Sequence, residues 1–197
     1  MQIYFIQSGM SGIQSSENSM DLQLRLATMA DVPALKQLIL DSVAGLSREF
    51  YTPTQIASGL SHVFGVDTQL IHDGTYFLAF FADELTGSGG WSKRRNLFGG
   101  DHWKGKQVDT LLDPNLDAAR IRAFYVHPRW SRRGVASAIL NACEGAAKAD
   151  GFTKVELVAT MPGEPFYAAK GYRKLEAMTL DTPDGQSLPA FRMVKVF

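Results

Sequence analysis

"YVHPRWSRRGVASAIL", Tyr125 to Leu140, sets three arginines, Arg129, Arg132 and Arg133, ahead of a glycine. The residues before the turn read as a strand and those after it as an apolar helix. A strand that enters a helix through a short loop leaves the first helical amides unpaired. Those N–H groups and the positive end of the helix dipole attract an anion. Gly134 lets an anion approach the backbone closely, and Ala136 and Ser137 keep the first turn slim. Arg132 and Arg133 add charge suited to phosphate oxygens. Two readings are open for these residues alone: a phosphate or pyrophosphate cradle, and a solvated basic turn before an ordinary helix.

Three known phosphate loops are excluded. The pattern G-x-x-x-x-G-K-[ST] does not occur, and protein-kinase signatures are absent. "GSGG" at Gly87–Gly90 leads into a strand rather than a helix, so it is no dinucleotide fingerprint.

The chain has 197 residues, 45% of them hydrophobic, enough for one sizeable core and a single domain. Twenty Lys and Arg balance twenty Asp and Glu, so the basic surplus of a nucleic-acid-binding protein is missing. One cysteine, Cys143, forbids an internal disulfide and fits a reducing compartment. No apolar run reaches the roughly 18–20 residues a membrane helix needs. The start, "MQIYFIQSGM", lacks a basic n-region. A cytoplasmic protein is expected, with neither membrane nor nucleic-acid partner. Residues 1–20, with the Ser-, Gly- and Asn-rich "SGMSGIQSSENSM", read as a flexible leader, and residues 21–197 as the domain.

Working outward from the turn, "DLQLRLA" alternates Leu22, Leu24 and Leu26 with polar residues, a strand with one buried face. Thr28, with Asp31 three residues on, predicts a capped helix over Val32, Leu35, Leu38, Ile39, Val43 and Leu46. Thr52 and Pro53 open a second helix, and "DTQLIHDG" a short third. "TYFLAFFADELTGSGGWSKRR" predicts an antiparallel strand pair. Asn96 to Ala118 follows as a long aperiodic loop. "ARIRAFYVH", the helix to Asp150, "TKVELVA", the helix "EPFYAAKG" and the strands "YRKLEAMTL" and "LPAFRMVKVF" complete the chain. The order predicts a mixed α/β sheet of six or seven strands flanked by helices.

"FYVHPRWSRRGVASAIL", "GFTKVELVAT" and "PFYAAKGYRKL" together resemble the GNAT superfamily of acyl-CoA-dependent N-acyltransferases. "LRLATMADVPALKQLI" looks like its opening strand and helix. The superfamily's pyrophosphate pattern, Q/R-x-x-G-x-G/A, falls on Ser131 to Ala136, with Ser in place of Gln or Arg at the first position. The resemblance implies a GNAT-like fold and an acetyl-CoA-dependent N-acetyltransferase. It further implies that Phe124, Tyr125 and Val126 present backbone groups to the pantetheine arm. Arg132, Arg133, Gly134, Val135, Ala136 and Ser137 would cradle the pyrophosphate. Thr160 stands where many members carry an Asn that bonds the pantetheine. Acetyl-CoA is the implied co-substrate, with no metal. Many members pair, which makes a homodimer an open reading.

Acetyl transfer to an amine requires a neutral amine, a polarised carbonyl and a protonated leaving thiolate. An amine of pKa about 10.4 is neutral in only about one molecule per 10³ at pH 7. A thiolate of pKa about 8.5 can take a proton from a tyrosine of pKa about 10. The resemblance puts Tyr167 in that acid role, with Tyr172 structural. For the base it points to Glu156 in "KVELVA", against the reading of a glutamate paired with a cross-strand Lys or Arg. His127 and Glu164 are other candidates, as are ordered water and backbone carbonyls. The histidines lack metal-ligand spacing, and Cys143 reads as core filler. The region around Tyr51 and the long loop would take the acceptor, an amine on a small molecule or a peptide. Loop aspartates Asp101, Asp109, Asp113 and Asp117 would either attract it or keep the loop soluble. The competing reading is a non-catalytic acyl-CoA-binding or regulatory module.

Overall fold

The structure is a computed structural model and describes residues 22–98, 100–101 and 110–197. The leader read over residues 1–20 lies outside the described residues, as do His102, Trp103 and Asp109 of the long loop.

Local chemistry starts the helices where the sequence suggests. β1 (Leu22–Leu26) runs into a 3-10 turn (Met29–Asp31) whose Asp31 carboxylate accepts from the Thr28 N–H and hydroxyl, both at 2.8 Å. α1 (Val32–Leu46) follows and buries Leu35, Leu38, Ile39 and Val43. At α2 (Pro53–His62), Thr52 and Gln55 form a reciprocal capping box, with Pro53 first in the helix. Asp67 caps the short α3 (Thr68–His72).

β2 (Tyr76–Phe81) and β3 (Glu84–Ser92) form the expected hairpin, and β4 (Ala119–Val126) pairs antiparallel with β3. α4 (Val135–Ala149), β5 (Lys154–Thr160), α5 (Glu164–Ala169), β6 (Arg173–Asp181) and β7 (Ser187–Val196) complete the described elements. The strands make one seven-stranded sheet in the order β1-β2-β3-β4-β5-β7-β6. It is mixed: β4 and β5 are parallel and every other neighbouring pair is antiparallel.

Helices cover both faces. One face holds α4 and α5 over a core that includes Ile139, Leu140, Cys143, Val155, Leu157 and Met193. The other carries α1 and α3 over Leu35, Leu38, Leu70, Tyr76 and Leu78, with a smaller cluster around Tyr51, Val63, Leu180 and Leu188 near α2. The glycines of "GSGG" have a packing purpose. A Cβ on Gly89 would stand 2.3 Å from the Phe124 ring and 2.8 Å from Ile139. Only glycine lets α4 and Phe124 settle this close to β3.

The decisive feature is the β4–β5 seam. The two strands are paired at Ala119–Val155 and Arg120–Glu156 only. Beyond those residues β5 stays with β7 up to Thr160–Ala190, while β4 stays with β3 up to Val126–Gly87. The sheet is therefore split between two strands that are neighbours at one end. Among the described residues no helix is long and apolar enough to cross a membrane.

Candidate active site

A bulge in β4 prepares the split. Tyr125 faces Ser88 and Arg122 faces Gly90, so two β4 residues stand opposite Gly89 alone. Ala123, at φ +56°, takes the strain of the extra residue. The bulge resets the alternation, so that Arg122 and Ala123 lie away from α4, while Phe124 and Val126 turn toward it. The His127 N–H donates to Thr86 of β3 at 2.9 Å. Alternation of an antiparallel ladder then directs the main-chain groups of Phe124 and Val126 to the other side, into the split. There the Val126 N–H meets the Ser42 hydroxyl at 3.2 Å. The remaining groups suit an amide-containing chain laid along the strand edge.

The turn after β4 is shaped for an anion. Arg132 and Gly134 both adopt left-handed backbone, at φ +61° and +86°. Such alternation curls successive N–H groups around a concavity. Gly134 is the N-cap of α4, and no side chain caps the first-turn amides. Nothing stands within 4 Å of where its Cβ would be, so the approach is open. Gly134, Ala136, Ser137 and Arg132 border the cavity described below. An uncapped helix start, small residues and a guanidinium without an ion-pair partner among the described residues fit a pyrophosphate.

The three arginines separate in function. Arg129 forks onto Glu84 of the β2–β3 hairpin, and the Trp130 indole N–H donates to the same carboxylate at 2.8 Å. Trp130 stacks on Phe81 at 4.5 Å between ring centroids. The turn is thus bolted to the hairpin. Arg133 lies over the Trp130 ring, 5.0 Å from its centroid, and does not border the cavity. Val135 puts its side chain in the core, which leaves only its backbone for the cradle.

From the cradle a cavity of about 830 Å³ passes through the split to the other face of the sheet. Phe124, Tyr125, Val126, Thr160 and Tyr167 border it together with the cradle. Tyr167 is buried, edge-on to Phe124, Phe166 and Tyr172. Its hydroxyl has no hydrogen-bond partner among the described residues. Burial, with a smaller contribution from nearby Cys143 and Tyr125, raises the Tyr167 phenol above the usual tyrosine range. Tyr172 instead donates to Glu144 at 2.9 Å, which also receives Lys195, and is a structural residue.

Glu156 is not brought to the cavity. Its carboxylate accepts from Arg192 at 2.7 Å and pairs with Arg120 at 3.1 Å, with its side chain only 8% exposed. The cross-strand ion pair is therefore the reading that fits Glu156, because two guanidiniums claim the oxygens a base would need. Glu164 pairs with Lys174 at 3.1 Å, and His127 Nδ1 accepts from the Arg129 N–H at 3.2 Å within its own turn. The described loop aspartates are also engaged. Asp101 accepts from Thr68, and Asp113 and Asp117 close their own turn. Cys143 is buried, as expected of filler. Among the described residues no group of three His, Cys, Asp or Glu is placed to hold a metal ion.

A family model described as "Acetyltransferase (GNAT) family" matches residues 42–172. The chain belongs to the GNAT acetyltransferase family. Solved structures agree on the fold. A GCN5-related N-acetyltransferase from Rhodopseudomonas palustris is 20% identical, with TM-score 0.66 over 92% of this chain and 100% of that one. The PaiA N-acetyltransferase of Thermoplasma acidophilum, in complex with coenzyme A, is 15% identical at TM-score 0.61, over 90% and 100% of the two chains. The ribosomal-protein-S18-alanine N-acetyltransferase of Escherichia coli is 13% identical at TM-score 0.56, over 89% and 94%. No curated protein matches the sequence significantly. As a GNAT protein the chain is an acyltransferase.

Sequence reasoning missed the far half of the cavity. Glu49 and Phe50 after α1, Phe64 after α2, and Leu97 and Phe98 of the long loop border it. The sequence points to the region around Tyr51 and the long loop for the acceptor, but no pattern marks these individual side chains, because they converge from segments far apart. Arg122 was also missed. It is buried, borders the cavity, and donates through Nη1 to the Asn96 and Phe98 carbonyls at 3.1 and 3.4 Å. Its Nη2 stands 3.3 Å from the buried Asp67 carboxylate, a pair held by charge rather than by an aligned hydrogen bond.

Proposed function

We propose that this protein transfers the acetyl group of acetyl-CoA directly to a primary amine, with Tyr167 as general acid. The observation that carries this reading is Tyr167: a buried side chain on the wall of the cavity that begins at the Arg132–Ser137 cradle, its hydroxyl unpartnered among the described residues. The cradle's amides and Arg132 would hold the pyrophosphate, and the freed edge of β4 and Thr160 the pantetheine. Arg133 and the Val135 side chain would support the cradle from outside.

The neutral amine attacks the thioester carbonyl carbon and a C–N bond forms. The C–S bond then breaks, the thiolate takes the Tyr167 proton, and the amine nitrogen releases its proton to solvent. Burial keeps Tyr167 protonated at neutral pH. The same low dielectric raises the basicity of a thiolate leaving beside it. Glu156 takes no part in this scheme and serves the fold. A reducing, cytosolic location fits the lone cysteine, buried as a thiol.

Thiol release from acetyl-CoA, measured with a panel of amines, tests the reading. Tyr167→Phe should lower turnover by about 10²–10⁴-fold while calorimetry shows acetyl-CoA still bound. Binding of acetyl-CoA without transfer to any amine would instead support the non-catalytic module.

A further inference from the structure

The cavity has two chemically different halves. The half on the α4–α5 face contains the cradle, and a donor entering there emerges through the split. The half on the opposite face is bordered by Phe50, Phe64, Phe98, Leu180, Val63 and Val158. Apolar walls of this kind bind apolar surface and leave a hydroxyl- or ammonium-rich ligand without replacements for its lost water.

Among the described residues two charged side chains border this half, Glu49 and Arg122. Arg122 is neutralised by Asp67 and its Nη1 is spent on the Asn96 and Phe98 carbonyls, which hold Phe98 at the wall. Glu49 is exposed and has no ion-pair partner among the described residues. Glu49 is the one carboxylate bordering the cavity among the described residues. Phe50, beside it, is 44% exposed, a large ring offered to solvent at the edge of a cavity. The adjacent Tyr51 is anchored by two hydrogen bonds, from Met161 N–H at 2.9 Å and to the Pro189 carbonyl at 2.6 Å. That anchor holds the Glu49–Phe50 pair over the opening.

Resting on the acetyl-transfer reading above, we propose that the acceptor is a small primary amine with an apolar, preferably aromatic, substituent and no carboxylate. The substituent sits among Phe50, Phe64, Phe98 and Leu180, and Glu49 draws in the ammonium before it loses its proton. Polyamines and aminoglycosides are poor acceptors, because a second or third cation would have to enter an apolar wall.

The test compares 2-phenylethylamine and isopentylamine with spermidine, kanamycin and L-phenylalanine, following thiol release from acetyl-CoA. The two apolar amines should exceed the others in kcat/KM by about tenfold or more. Phe50→Ala should raise the KM for 2-phenylethylamine about tenfold and leave the acetyl-CoA dissociation constant within twofold. Phe50→Leu should restore most of the loss. Glu49→Gln should raise the same KM less at high salt than at low salt. Equal or better use of spermidine or kanamycin would overturn the proposal and leave acetyl transfer standing. A preference for L-phenylalanine would overturn it by making Arg122 a carboxylate site. Absence of acetyl-CoA binding in calorimetry would overturn both readings together.

Discussion

Arg120 and Glu156 face each other at the last rung shared by β4 and β5, 3.1 Å apart as an ion pair. The strands part immediately beyond them, so this pair sits at the vertex of the split into which the donor arm would be laid. Arg192, from β7, holds the same carboxylate from the other side at 2.7 Å. The pair marks where the sheet opens and does not border the cavity.

Glu156→Gln should therefore act on stability rather than on chemistry. Removing one charge from a buried pair costs about 3 kcal/mol, read as a lower midpoint in chemical denaturation. The pH dependence of kcat/KM should keep its shape. A fall in kcat of about 10²-fold or more under conditions where the variant stays folded would return Glu156 to the role of base.

The pH profile itself follows from Tyr167. Below its pKa an amine substrate is protonated, so kcat/KM should rise tenfold per pH unit through neutrality. Burial holds the Tyr167 phenol above the usual tyrosine range, so its proton is retained as pH rises. The falling limb should appear only above about pH 10. Stopped thiol-release assays from pH 6 to 10 measure this, and a fall already at pH 8 would remove Tyr167 as the acid.

The arginines of the turn should separate in binding experiments. Arg132→Ala should weaken acetyl-CoA about tenfold, or about 1.4 kcal/mol, with the loss shrinking as salt is raised. Arg133→Ala should have a smaller effect on affinity, because that guanidinium lies over Trp130 and not at the cavity. Calorimetry at two ionic strengths distinguishes the two.

Tyr51→Phe removes an acceptor from the Met161 N–H and a donor to the Pro189 carbonyl. Each backbone group left without a partner costs about 1–3 kcal/mol. Denaturation should show the loss of stability. Because Tyr51 holds Glu49 and Phe50 over the mouth, the KM for the amine should rise while acetyl-CoA affinity is kept.

Local features are legible in the sequence. The Thr28–Asp31 and Thr52–Gln55 caps, the alternation of β1 and the apolar stripe of α4 are decided within a few residues of themselves. Gly134 with Ala136 and Ser137 marks a helix start open to an anion for the same reason. The bulge in β4 leaves no such mark, since the residue that takes positive φ is Ala123 rather than a glycine. Glu156 is ambiguous in sequence because its partners, Arg120 and Arg192, lie 36 residues away on either side and only the sheet order brings them to it.

The sequence by itself determined the elements and the slim, uncapped helix start at Gly134, because caps, periodicity and small residues act over one or two helical turns, while resemblance to a family singled out Tyr167. Tertiary structure alone decided which arginine faces the cavity, where the sheet splits and what lines the acceptor half. Those depend on strands and loops meeting across long separations, where burial and charge pairing select partners that no local pattern records.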